Sequence, residues 1–132
     1  MPINKVGTVC VFVSDQDRAK AFYTEQLGFE LRQDSPLYPG AASRWVAVAP
    51  HGAQTDVILY LPDANWDHYR QVVGKSQAIT FDVTDMSQVA AGLKARGVKF
   101  VQEPDAQPWG TYATIEDSEG NHILLVQQPG GH

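Results

Sequence analysis

Two side chains of this chain could carry nucleophilic or proton-transfer chemistry, Cys10 and Asp82. Each lies in a stretch with strand periodicity, on the opposite face from its alternating apolar neighbours. A reactive thiolate at Cys10 would need a nearby cation or helix N-terminus, and the sequence shows neither, so we expect this residue to pack as a small hydrophobe. Asp82 could be a general base. It could equally pair with Arg44 or stand in water, as strand carboxylates usually do.

Aromatic residues are the more informative candidates for a binding site. Trp45, Tyr60, Trp109 and Tyr112 lie on or beside predicted strands. Such rings supply stacking area for planar organic molecules in apolar sites. Arg44 could pair with a carboxylate or phosphate group of the ligand. The alternative for Trp45 and Tyr112 is that they pack the core or a subunit interface.

The four histidines do not form a recognisable metal site. His51 lies in a predicted turn, His68 in a linker, His122 after a hairpin turn and His132 on the tail. No pair has the spacing of a helix-borne or loop-borne metal site. We interpret all four as surface residues without a metal role.

These side chains are positioned by a pattern that the sequence contains twice. Val9–Val13 alternates as a half-buried strand, and Gln16–Leu27 then has helical apolar spacing. The same change of period follows Ile79–Val83. Asp15 and Asp85, which can cap the two helices, are seventy residues apart. Each half is predicted to be strand, helix and three further strands, which indicates an α+β fold.

The remaining predicted elements complete each half. Module one spans 4–62, a linker with a short helix between Asp63 and Gly74 spans 63–75, and module two spans 76–129. The further strands are predicted at 29–33, 44–49 and 56–61, and at 100–102, 111–116 and 122–127. Loops rich in proline and glycine are expected at 34–42 and 103–110.

Composition limits the possible partners. The chain has 132 residues, which suits one compact domain, and carries 10 basic against 15 acidic residues for a net charge of −5. It contains no Lys/Arg cluster, so we expect no nucleic-acid or membrane partner. Met1–Lys5 shows no signal-like segment, and a single cysteine fits a reducing compartment. We therefore expect a cytoplasmic protein.

Two motifs carry a family resemblance. Val11–Phe29 reads VxVSDxxxAxxFYxxxLGF, and the second half closes with Trp109–Thr111 and with DxEGN at Asp117–Asn121. They resemble the vicinal oxygen chelate superfamily, which includes glyoxalase I, extradiol dioxygenases, fosfomycin-resistance enzymes and bleomycin-binding proteins. The resemblance implies two tandem βαβββ modules that form a cup-shaped mixed sheet with helices on the convex side. Its motifs specify the fold more than the function.

The resemblance also identifies where a metal would be held. Metal-dependent members place a His early in a first strand and a Glu on a last strand, a set that suits a Lewis-acidic divalent ion. The matching positions here are Thr8, Ala78 and Leu124, and Val57–Tyr60 of the fourth strand contains no acid. These residues are poor ligands, so we predict no metal and no cofactor.

Three functional hypotheses follow. The first is a metal-free binding protein for a small aromatic or amphiphilic compound, acting as a homodimer. The second is a divalent-metal-dependent glyoxalase I-like lyase or isomerase, or a dioxygenase, with ligands elsewhere or a metal-free mechanism based on Asp82 or Cys10. The third is a sensor or accessory subunit whose cup faces another protein. For the first hypothesis, the predicted ligand-binding residues are Thr8, Phe12, Arg44, Trp45, Tyr60, Thr80, Trp109, Tyr112 and Leu124.

Overall fold

The computed structural model describes residues 2–62, 71–75 and 79–129, which belong to two compact units, Met1–Gly74 and Lys75–His132. The first unit contains β1 (Thr8–Phe12), α1 (Gln16–Ala21), a π-helical turn (Phe22–Gln26), β2 (Glu30–Pro36), β3 (Arg44–Ala49) and β4 (Asp56–Tyr60). The second contains β5 (Ile79–Asp82), α2 (Met86–Ala95), β6 (Phe100–Gln107), β7 (Gly110–Glu116) and β8 (His122–Gln127). The predicted duplication and α+β class are confirmed. Most of the predicted linker helix, together with Ala78, His68 and His132, lies outside the described residues.

Each unit is built on one four-stranded mixed sheet. The strand orders are β1-β4-β3-β2 and β5-β8-β7-β6. In each sheet the first strand pairs in parallel with the last strand of the unit, and the other pairings are antiparallel. Within the described ranges, no helix is long and apolar enough to cross a bilayer.

Most buried side chains of each unit lie between its helix and one face of its sheet, and in the first unit Ala47 and Ile58 are buried on the other face. Val11 and Val13 are almost fully buried, with 2% and 0% of their surface exposed, as the alternation predicts. Alternate residues of the other strands join them on the helix-facing side. In the first unit these are Val46, Val48, Val57 and Leu59, and in the second Ala113, Ile115, Ile123 and Leu125. Burying a valine, isoleucine or leucine side chain stabilises the fold by about 1.5–3 kcal/mol.

The start of each helix is capped as the sequence predicts. Asp15 Oδ1 accepts a hydrogen bond from the Arg18 amide at 3.0 Å, and Asp85 Oδ1 accepts one from the Gln88 amide at 3.1 Å. These side chains satisfy amides that have no partner within the helix.

The first helix does not continue as one α-helix to Leu27. It changes to a π-helical turn in which the Leu27 amide donates to the Phe22 carbonyl at 3.0 Å. The Thr24 hydroxyl donates to the Lys20 carbonyl at 2.8 Å, the acceptor that an α-helix assigns to the Thr24 amide. A hydroxyl that bonds to the carbonyl four residues earlier distorts a helix. The apolar spacing of the sequence does not record this bond and so could not predict the π-helical turn.

The second strand of each unit is longer than predicted. β2 continues to Pro36 and β6 to Gln107, so the first parts of the expected loops at 34–42 and 103–110 are strand. Both are edge strands, where a proline without an N–H is tolerated. Pro104 also falls within a shift of the β6–β7 register between Gln102 and Asp105.

Candidate functional site

The face of the first sheet turned away from α1 is defined by strand register. Thr8 is opposite Asp56, Cys10 opposite Ile58 and Phe12 opposite Tyr60, because β1 and β4 pair in parallel. Directly opposed residues of neighbouring strands point to the same side of a sheet. Ala47 of β3 pairs with Ile58, and Trp45, two residues before Ala47 on the same strand, lies on the same side of the sheet. We call this surface the first distal face; its residues are Thr8, Cys10, Phe12, Trp45, Ala47, Asp56, Ile58 and Tyr60.

Aromatic rings lie at one end of the first distal face. The Phe12 and Tyr60 rings are 6.1 Å apart between centroids and inclined at 54°. Trp45 is half-buried on the same face. The face is therefore apolar and aromatic at this end, and the predicted residues Thr8, Phe12, Trp45 and Tyr60 share it.

Cys10 differs from its expected environment. The sequence predicts a packed small hydrophobe, but the residue is free and exposed. Neighbouring protein atoms nevertheless desolvate the thiol in part and raise its pKa. A raised pKa leaves less thiolate at neutral pH, which argues against a nucleophilic role.

The equivalent surface of the second unit is the second distal face. Its register aligns Thr80 with Leu124, and Asp82 with Val126, Tyr112 and Asp105 in one row across all four strands. The predicted residues Thr80, Tyr112 and Leu124 therefore share a face with the candidate base Asp82. By the same register the face consists of Thr80, Asp82, Gln102, Asp105, Tyr112, Thr114, Glu116, His122, Leu124 and Val126.

The most prominent feature of the second distal face is a pair of rings at its edge. The Trp109 and Tyr112 centroids are 5.4 Å apart and the rings are tilted by 31°, a separation within the range of favourable ring pairs. Trp109, in the β6–β7 turn, leaves 54% of its surface exposed. The pair presents an exposed stacking surface.

Gly110 makes the turn that carries Trp109 possible. It has φ +141°, and a Cβ at this position would lie 2.6 Å from the Gln127 carbonyl oxygen. Only a residue without a side chain allows β7 to start this close to the end of β8.

Arg44 is positioned differently from the ligand-pairing role that the sequence predicts. It alternates with Trp45 on β3 and therefore points to the helix side of the sheet. Its Nε donates to Asp34 Oδ1 at 2.8 Å and its Nη2 to Asp17 Oδ1 at 2.7 Å, so its observed partners are these two carboxylates and not Asp82. Hydrogen bonds from Arg44 and then Lys20 lower the pKa of Asp34.

Sequence reasoning missed a second ionic cluster, near the β3–β4 turn. Arg32 Nε donates to Glu30 Oε2 at 2.5 Å and Arg32 Nη1 to Asp56 Oδ1 at 2.9 Å. Arg32 Nη2 also donates to the Ala53 carbonyl at 2.9 Å, which ties β2 to the turn. His51 joins through Glu30 Oε1, and bonds from Arg32 first and His51 next lower the pKa of Glu30. The cluster is a structural brace, and its only sequence signal is the Glu30-x-Arg32 pair on one strand.

The residues that the structure describes do not fit the metal that the fold family suggests. Within 2–62, 71–75 and 79–129, no group of three or more His, Cys, Asp or Glu side chains is arranged to hold a metal ion. Thr8 and Leu124, at two of the positions where the family places ligands, lie on the distal faces but offer a hydroxyl and a hydrocarbon. His51 and His122 are exposed.

Comparisons with known proteins agree on one family. The family model for the Glyoxalase/Bleomycin resistance protein/Dioxygenase superfamily matches residues 5–125. The crystal structure of TnmS3, an antibiotic binding protein from Streptomyces sp. CB03234, is 36% identical with a TM-score of 0.83, covering 97% of this chain and 98% of that chain. A superfamily member from Sphaerobacter thermophilus DSM 20745 is 34% identical with a TM-score of 0.82, covering 97% and 100%.

A curated relative extends the match in sequence. The uncharacterized protein YetH of Bacillus subtilis (strain 168) is 38% identical over 125 residues, which is 95% of this chain and 99% of YetH. The tandem modules, their strand orders and these matches together show that the chain belongs to the Glyoxalase/Bleomycin resistance protein/Dioxygenase superfamily.

Proposed function

We propose that this protein binds a small aromatic or amphiphilic organic molecule without a metal ion. The observation that carries the proposal is the Trp109–Tyr112 pair, with centroids 5.4 Å apart and more than half of the Trp109 surface exposed. An exposed tryptophan held against a second ring is a surface on which a planar ligand can stack. The Phe12–Tyr60 pair gives the first distal face a similar aromatic character.

The magnitude available from stacking suits a binding protein. Covering about 100 Å² of apolar surface would contribute about 2.5 kcal/mol. Ring stacking adds about 0.5–1.5 kcal/mol. Together they account for about half of the free energy of a micromolar complex, and contacts with neighbouring polar groups would supply the rest.

The similarity to TnmS3 supports the same class of function. That protein is described as antibiotic binding, and the two chains share 36% identity over almost their whole length. The superfamily also contains enzymes, so the alternative is a divalent-metal-dependent lyase, isomerase or dioxygenase. The donor groups of the described residues do not favour that alternative.

We further propose that the protein is a cytoplasmic homodimer. Edge strands β2 and β6 expose Leu31 and Val101, seventy residues apart, with 42% and 48% of their surfaces accessible. Matching apolar side chains at matching edges are candidates for contact with a second copy. Light scattering coupled to size-exclusion chromatography measures the mass directly, and a monomer at all concentrations contradicts the dimer.

The binding proposal is tested by fluorescence titration of EDTA-treated protein with 1-pyrenemethanol, an uncharged planar aromatic alcohol, and with bleomycin. We expect saturable binding of at least one of these probes, and a tenfold or greater loss of its affinity in Trp109→Leu, on the order of 1.4 kcal/mol. Tyr38→Leu is the matched control, because Tyr38 is also exposed but lies outside both ring pairs. The proposal is contradicted if neither probe binds saturably, or if Trp109→Leu and Tyr38→Leu lose the same affinity.

A further inference from the structure

We infer that the second distal face selects a positively charged aromatic ligand, such as a ring system carrying an amine. This inference rests on the proposed function and specifies the chemistry of its ligand. It derives from the charges that the sheet register places around the Trp109–Tyr112 pair.

The first step is the position of two carboxylates relative to the rings. Asp105 is the direct cross-strand partner of Tyr112, and Asp82 lies at the other end of the same row, beyond Val126. Neighbouring strands are about 4.8 Å apart, so the row is about 14 Å long and Asp82 stands about 10 Å from Tyr112 along it. A ligand stacked on Trp109 and Tyr112 would therefore have a carboxylate close to it on one side and another within reach along the row.

The second step is that no described Lys or Arg pairs with either carboxylate of this row. The register places Asp82, Asp105 and Glu116 there, and no Lys or Arg. Of these carboxylates, Glu116 is paired with Lys99 at 3.0 Å. Asp105 Oδ2 accepts a hydrogen bond from the neutral side-chain amide of Gln107 at 2.9 Å. Among the described residues, neither Asp82 nor Asp105 has a Lys or Arg partner within ion-pair distance, and Asp82 is exposed.

The third step is the effect of this arrangement on a ligand. Aromatic faces attract cations, and the attraction strengthens as the cation loses water. The two carboxylates add a negative potential, which attracts a cationic ligand and repels an anionic one. Charge complementarity therefore favours a cationic occupant over a neutral one and disfavours an anion.

The experiment uses three probes with the same ring system and different charge. These are 1-pyrenemethylamine, 1-pyrenemethanol and 1-pyrenecarboxylate, titrated into the full chain at neutral pH and monitored by fluorescence anisotropy. We expect the amine to bind about tenfold tighter than the alcohol, and the carboxylate to bind more weakly than either. The preference for the amine should shrink at high ionic strength, because salt screens exposed charges.

Substitutions identify the groups responsible. Asp82→Asn and Asp105→Asn, separately and together, should lower the ratio of amine affinity to alcohol affinity. Glu103→Gln is the matched control: it removes one negative charge from the same strand as Asp105, but Glu103 pairs with Lys94 of α2 on the helix side. This control should retain the preference of the unmodified protein.

The outcomes separate this inference from the proposal on which it rests. If the alcohol binds but the amine has no advantage, or if the carboxylate binds most tightly, charge selection is refuted and aromatic binding stands. If the amine is preferred but the Asp82 and Asp105 variants keep that preference, the assignment to this face is wrong. If none of the three probes binds, and bleomycin does not bind either, both fail together.

Discussion

Gly110→Ala is the substitution whose cost follows most directly from the structure. The added Cβ would lie 2.6 Å from the Gln127 carbonyl oxygen, well inside van der Waals contact. That oxygen belongs to the backbone of β8 and cannot rotate away, so one of the two strands must shift. The φ of +141° adds strain for any residue with a side chain, and a conformation of this kind costs about 1–3 kcal/mol.

The clash would also spread beyond the strand pair. Gln127 Oε1 accepts a hydrogen bond from the Met86 amide at 2.6 Å, at the first turn of α2, so a shift of Gln127 weakens the anchoring of that helix. Adding an overpacking cost of about 1–3 kcal/mol gives a total destabilisation of about 2–6 kcal/mol. This is a large part of the stability of a domain, which is about 5–15 kcal/mol.

Urea unfolding followed by tryptophan fluorescence and circular dichroism measures this loss. Gly7→Ala is the matched control, because a Cβ added at Gly7 would meet no atom within 4 Å and the φ of Gly7 is not positive. We expect the control to change the free energy of unfolding by less than about 0.5 kcal/mol. Equal effects of the two substitutions would refute the reasoning about close approach of β7 and β8.

Three further predictions address other parts of the structure. Gln16→Ala should destabilise the protein by about 1–3 kcal/mol in urea unfolding, because the buried Gln16 amide donates to the Arg44 and Leu59 carbonyls at 2.8 Å each; an unchanged midpoint would contradict this. Asp34→Asn should lower the free energy of unfolding by about 0.5–1 kcal/mol at neutral pH. This difference from the unmodified protein should vanish as pH falls through the lowered pKa of Asp34, because the stability that comes from a lowered carboxyl pKa is present only while the group is ionised. A difference that persists in acid would contradict the ionic origin. Cys10 should be alkylated by iodoacetamide more slowly than free cysteine at neutral pH, since its thiol pKa is raised, and a rate above that of free cysteine would restore it as a nucleophile.

The elements that the sequence predicts well are those whose patterns are local. Alternation and a change to helical spacing define β1 with α1 and β5 with α2, and the caps at Asp15 and Asp85 have the expected partners. The same alternation separates the helix-facing residues from those of the distal faces. These features depend on near neighbours along the chain, which a sequence pattern records.

The features that the sequence does not reveal depend on contacts between distant segments. The sequence predicts that β2 ends before Asp34, whereas the strand continues and brings that carboxylate to Arg44. Edge position makes Pro36 compatible with a strand, and edge position is a property of the whole sheet. The exposure of Cys10 and the ring contact of Trp109 with Tyr112 likewise depend on how strands are paired.

The central claim is that the protein binds an aromatic ligand without a metal. Its most direct test is elemental analysis of untagged protein after exposure to Zn²⁺, Ni²⁺, Fe²⁺ and Mn²⁺, combined with titration of the same samples by 1-pyrenemethanol and bleomycin. We expect no stoichiometric metal and the same probe affinity before and after EDTA treatment. Near-stoichiometric tight metal, or probe binding that EDTA abolishes and one of these ions restores, would contradict it and favour the lyase, isomerase or dioxygenase alternative.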